Sequence, residues 1–226
     1  MTIYKPEWGA SRPIRGVLFD MDGLVLDSEK LYSRFWREAC GFYGYDMRYE
    51  QSLKMRALNH RAGAQMLRSF FGEDIDYEQT RAKRIELMDA YVEKNGVELK
   101  KGVLELMAYL EERKIPAAIT SSSPLPRIRS HLSFHGLDVR FASLCSGYDV
   151  PNGKPAPDIY LYGAKCLGLK PEECLALEDA PAGILSAYRA GCLPVMIPDQ
   201  DQPDGATLEL LYAKGDSLAD VIELLK

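Results

Sequence analysis

With 226 residues, 46% hydrophobic and 27% charged, the chain has the make-up of an ordinary globular protein, long enough for one sizeable core with an inserted module. Its 33 acidic and 28 basic residues leave a formal net charge of -5. No basic patch stands out, which argues against nucleic acid as a partner. No apolar run is long enough to span a membrane. Residues 1–13 lack the apolar stretch of a secretion signal and read as a short polar lead-in to a cytoplasmic protein.

The first predicted element is a strand over 15–20. Val17-Leu18-Phe19 is an apolar run without helical spacing, as in a buried strand. It stops abruptly at Asp20, Asp22 and Gly23. From 28 to 96 the strand signal vanishes. Leu31, Phe35, Ala39 and Phe42 make one helical stripe, Leu58, Met66, Leu67, Phe70 and Phe71 a second, and Ile85, Met88 and Val92 a third. The expected organisation is therefore an α/β core over 1–27 and 97–226, interrupted by an all-helical block over 28–96.

After residue 96 helices and strands alternate. Val103, Leu106, Met107 and Leu110 predict a helix, 115–120 a strand, 127–134 a helix and 141–145 a strand. Lys154-Pro155-Ala156-Pro157-Asp158 opens a helix to about 167, with prolines at its start. A strand over 174–177 ends in Glu178-Asp179, a helix runs to 190, and a strand covers 194–197. Ser217 and Asp220 are spaced as a capping box for a last helix. Such alternation implies a Rossmann-like, three-layer core with a parallel central sheet.

The five cysteines form no Cys-x-x-Cys pair, so zinc and redox motifs are unsupported and buried or half-buried thiols are expected. His131 and His135 are four apart but have no third ligand, and are expected to be a surface pair rather than a metal site.

Successive parallel strands joined by right-handed crossovers present their C-terminal ends on one side. Asp20, Asp22, Ser121, Lys154, Glu178 and Asp179 would then share one crevice, where open α/β sheets bind ligands. Each alone has a plain reading as a turn residue, a helix cap or a solvated charge. Together they suit phosphoryl transfer. Asp20, Asp22 and Asp179, with Glu178, form a hard oxygen site for Mg2+. Lys154 adds positive charge, and Ser121 with nearby N–H groups can bind phosphate oxygens. Asp20, with a reference pKa of about 3.9, can attack without a general base, and Asp22 can serve as acid and then base.

Asp20-Met21-Asp22-Gly23, Ser121, Gly153-Lys154-Pro155-Ala156-Pro157-Asp158 and Leu177-Glu178-Asp179-Ala180-Pro181-Ala182-Gly183 resemble the motifs of the haloacid dehalogenase superfamily. The branch resembled is that of β-phosphoglucomutase-like and sugar-phosphatase proteins, with a helical cap inserted after the first motif. The resemblance implies a mobile cap, Mg2+ as cofactor, and an aspartyl-phosphate intermediate. Asp20 would be nucleophile and metal ligand, and Asp22 acid/base and metal ligand through its backbone oxygen. Asp179 and Glu178 would complete the metal set, with Ser121, Ser122 and Lys154 around the phosphate.

Tyr32, Arg56, His60 and Arg61 are the cap side chains expected to meet substrate. Tyr32 falls where the mutase branch carries a histidine, and Leu53-Lys54-Met55-Arg56-Ala57 lacks that branch's glycine. The leading expectation is a Mg2+-dependent phosphatase of a small phosphorylated metabolite, a sugar phosphate or nucleoside monophosphate. A hexose-phosphate mutase and a non-catalytic binding protein are the alternatives. A dehalogenase is disfavoured by the full acidic set. A monomer or weak dimer is expected, without membrane or nucleic-acid partners.

Overall fold

The computed structural model describes residues 1–226 except 12, 56, 57, 59, 200 and 201. The chain divides into two compact units, Met1–Leu26 with Glu98–Lys226, and Asp27–Val97.

In chain order, β1 (Thr2–Ile3), α1 (Pro6–Ser11) and β2 (Gly16–Phe19) precede the helices α2 (Ser28–Phe42), α3 (Tyr49–Leu53), α4 (His60–Phe71) and α5 (Tyr77–Asn95). Then follow α6 (Val103–Glu112), β3 (Ala117–Ser121), α7 (Leu125–Ser133), β4 (Ser143–Ser146), α8 (Asp158–Cys166), β5 (Cys174–Glu178), α9 (Pro181–Ala190), β6 (Leu193–Met196), α10 (Gly205–Leu208) and β7 (Ala213–Lys214). A 3-10 helix over Leu218–Leu225 closes the chain.

The strands form one sheet in the order β1-β7-β6-β5-β2-β3-β4. All neighbours are parallel except β1 and β7. Every residue of β2, β3, β5 and β6 is buried, as expected of strands covered on both faces. Leu18 stands in register with Ala118 and Ala176. With Ile159, Tyr160 and Ala164 of α8 they form one side of the core. Strand alternation puts Val17 and Phe19 on the opposite face, where Phe19 meets Phe141 edge-on at 5.4 Å. The family of α/β folds foreseen from the sequence is the one observed.

The helical unit has its own core. Trp36, Cys40, Met47, Met55, Leu67, Ile75 and Tyr77 pack together. Asp76 caps α5 by accepting the Gln79 N–H at 3.0 Å.

Several expectations need correction. The N-terminal segment is not a plain lead-in, because Thr2 and Ile3 pair antiparallel with Lys214 and Ala213. Strands this short show no periodicity, so neither partner is visible in the sequence. The strand expected over 141–145 begins at Ser143, since Phe141 packs onto the sheet from the preceding loop. The expected last helix and its Ser217/Asp220 capping box are present, as a 3-10 helix with the Asp216 and Ser217 N–H groups donating to Asp220 Oδ2. His131 is buried, so the two histidines are no surface pair. Cys166 is exposed, while the other thiols are buried. No helix among the described residues is long and apolar enough to cross a membrane.

Candidate active site

Polar residues of the site stand at the C-terminal ends of β2, β3 and β5. Asp20 follows β2, and its N–H still donates to Leu177 O at 3.0 Å, so the ladder holds the residue in line. Alternation places Glu178 on the same face as Cys174 and Ala176, the face covered by α8. Both carboxylates are buried, at 8% and 2% exposure. Burying a charge demands a partner, and here it is Lys154. Its Nζ donates to Asp20 Oδ1 and Glu178 Oε1, both at 2.6 Å.

The loop that bears Lys154 is tied down from both helices behind it. Asn152 Nδ2 donates to Asp158 Oδ1 at 3.0 Å, and Arg189 Nη1 of α9 donates to Pro155 O at 3.0 Å. Asp20, Glu178 and Asp179 each bring a carboxylate oxygen within 4.8 Å of the others.

Gly23 makes room for Asp179. Its φ of 89° lies in the left-handed region, and a Cβ there would stand 2.3 Å from Asp179 Oδ2. Gly183 does the same for Glu178, since a Cβ would fall within 2.0 Å of its Oε1. Glycine at these positions is required by close approach to the carboxylates.

Asp22 sits on the turn that follows. Ser123 Oγ donates to Asp22 Oδ2 at 3.1 Å. Asp22 Oδ1 is buried with no hydrogen-bond partner among the described residues. Ser123 is itself held, its N–H donating to Ser121 Oγ at 3.1 Å and its carbonyl accepting from Ser146 Oγ at 2.8 Å. Ser121 is thus linked to Asp22 through Ser123. Ser122 is exposed at the start of the same loop.

Electrostatically the cluster is short of positive charge. Burial pushes the Asp20 carboxyl up to about 7, against the pull of Lys154 and with the push of Glu178 and Asp22. Burial works to neutralise Lys154 as well, but the Asp20 and Glu178 carboxylates outweigh it and hold the ammonium well above its ordinary range. The three converging carboxylates make a hard, oxygen-only donor set that fits a divalent cation, and beside them Asp22 keeps a buried, unsatisfied oxygen.

The sequence profile of haloacid dehalogenase-like hydrolases matches residues 14–191, most of the chain. The chain belongs to the haloacid dehalogenase-like hydrolase family. Hexitol phosphatase A of Escherichia coli is 35% identical over 182 residues, covering 79% of this chain and 80% of its own. The phosphorylated carbohydrates phosphatase of Thermotoga maritima is 28% identical over 178 residues, covering 79% and 82%. CbbY from Rhodobacter sphaeroides, solved in complex with phosphate, shares the fold with a TM-score of 0.73 at 22% identity, over 92% of this chain and 96% of that one. Within the haloacid dehalogenase-like family the chain is a phosphoric monoester hydrolase.

The remaining candidates lie in the helical unit. Tyr32 on α2 is half-buried, with the Arg84 guanidinium 4.8 Å from its ring. His60 opens α4, pairs with Glu78 and meets the Tyr77 ring edge-on at 5.1 Å. Arg61 is exposed. Arg56 lies outside the described residues. Sequence reasoning missed Ser123 and Tyr160. Ser123 stood in the same polar run as Ser121, and its position two residues on was a usable signal. Tyr160 gave none, because a tyrosine at a buried helical position reads as core.

Proposed function

We propose that this hydrolase removes the phosphoryl group from a small phosphorylated sugar or polyol, through a phosphoryl-aspartate on Asp20. The observation that carries the reading is the buried Asp20–Lys154–Glu178 bridge at the sheet's C-terminal edge, with Asp179 beside it. The phosphatase relatives support the class of reaction and of substrate.

Asp20, Glu178 and Asp179 would hold Mg2+, which would neutralise charge between the phosphate dianion and the attacking carboxylate. Asp20 attacks phosphorus with a carboxylate oxygen, and the bond from phosphorus to the ester oxygen breaks. Asp22, through Oδ1, gives a proton to the departing oxygen. In the second half Asp22 takes a proton from water, whose oxygen attacks phosphorus and releases inorganic phosphate and the Asp20 carboxylate. Ser123 holds Asp22 Oδ2, so that Oδ1 is the oxygen that trades protons. Lys154 and Ser121 orient the phosphoryl oxygens, with Ser122 at the loop's outer end.

Selection of the leaving group is assigned to the helical unit, through Tyr32, Arg56, His60 and Arg61, because the core groups address only phosphate. Tyr32, in place of the mutase branch's histidine, favours hydrolysis over return of the phosphoryl group to a second hydroxyl. The test is phosphate release from a panel of sugar, polyol and nucleoside monophosphates, with Mg2+ and with EDTA. Release from sugar or polyol phosphates only with Mg2+ is expected. Equal release in EDTA, or interconversion of hexose phosphates without release, contradicts the reading.

A further inference from the structure

We infer that Tyr160 is a positioning residue of this site, whose hydroxyl fixes the Glu178 carboxylate toward the divalent cation. The inference rests on the function proposed above and adds to it a residue that does not touch substrate. Tyr160 is fully buried on α8, where an unbonded hydroxyl would be costly. It donates to Glu178 Oε1, the oxygen that Lys154 Nζ also takes at 2.6 Å. Neither donor takes Oε2. Two donors on the same oxygen therefore restrain the carboxylate and leave Oε2 to be offered to the acidic cluster.

The Tyr160 ring also lies beneath Lys154, 5.1 Å from Nζ to centroid. Gly183 closes on the same carboxylate, where an added Cβ would stand 2.0 Å from Oε1 and 2.2 Å from Oε2. Glu178 is thus gripped by Tyr160, Lys154 and the start of α9. Lys154 alone would leave it free to swing about the ammonium, because a lysine is a point charge rather than a planar fork. The hydroxyl supplies the missing direction. Groups that orient a metal's ligands in this way govern affinity for the ion.

The test is calorimetric titration of Mg2+ into the purified full chain, without substrate, for the wild type, Tyr160→Phe and Tyr162→Phe. Phenylalanine keeps the ring and its packing, and melting in EDTA checks that each variant is folded. Tyr162, half-buried on the same helix, is the control for loss of a hydroxyl alone. The inference predicts that Tyr160→Phe raises the Mg2+ Kd roughly tenfold or more, while Tyr162→Phe leaves it unchanged. A Tyr160→Phe Kd equal to wild type overturns the inference and leaves the proposed function standing. An equal rise in both variants also overturns it, by showing a general effect on α8. A wild type that binds no Mg2+ overturns the proposed function and the inference together.

Discussion

At the residue scale the site is a problem in burying charge. Asp20 and Glu178 lie almost out of reach of solvent and share one ammonium. Removing that ammonium strands both carboxylates. Lys154→Met should therefore cost on the order of 3–5 kcal/mol in metal-free protein, as breaking a buried pair does, read from urea unfolding in EDTA. A loss below about 1 kcal/mol, the range of surface pairs, would mean that the bridge is solvated in solution. Asp20→Asn removes the nucleophile and keeps the shape, so turnover should fall by several orders of magnitude. A purified variant retaining a sizeable fraction of wild-type kcat would sink the covalent route. Gly23→Ala meets both a left-handed φ and the Asp179 carboxylate. It should weaken Mg2+ binding more than it lowers Tm, and a purely thermal effect would argue against a metal role for Asp179.

At the scale of elements, each unit has a buried cluster of its own. Leu67 of α4 is fully buried among Trp36, Cys40, Met47 and Tyr77. Leu67→Ala should cost about 2–5 kcal/mol, the range for deleting a buried leucine, measured by chemical denaturation. Arg61→Ala, at an exposed position on the same helix, should leave stability within about 0.5 kcal/mol and change kcat/KM unevenly across a substrate panel. Hydrolysis of p-nitrophenyl phosphate should change least, because it offers few groups to hold. A uniform effect on every ester would show that Arg61 is plain surface.

The long elements were legible because apolar spacing marks them: the run at Val17–Phe19, the helical stripes from Leu31 to Val92, and the alternation after residue 96. The edge pairing of Thr2 and Ile3 with Ala213 and Lys214 was not legible. Its energy comes from backbone bonds across the full length of the chain, which leave no local pattern. The acidic residues and Lys154 were legible as a set because each follows a strand of one parallel sheet, on the side where those strands end. Tyr160 was not, since its hydroxyl matters only once α8 has packed against Glu178.

For the whole molecule, an α/β sheet aligns the acidic strand ends, and the helical unit enters the chain directly after the first of them. Mg2+ that binds the folded protein must also stabilise it. The wild-type Tm should rise with added Mg2+ and return in EDTA, and Asp179→Ala should lose that rise along with its activity. A Tm indifferent to Mg2+ would leave the carboxylate cluster without its proposed role. The central claim is that the phosphoryl group passes through Asp20. The most direct measurement is acid quenching during turnover of a phosphorylated sugar or polyol with Mg2+, followed by mass spectrometry of the digested chain. The account predicts one phosphoryl group on the peptide that contains Asp20, and none in Asp20→Asn. Steady turnover with that peptide unmodified, or a label that persists in Asp20→Asn, would contradict it.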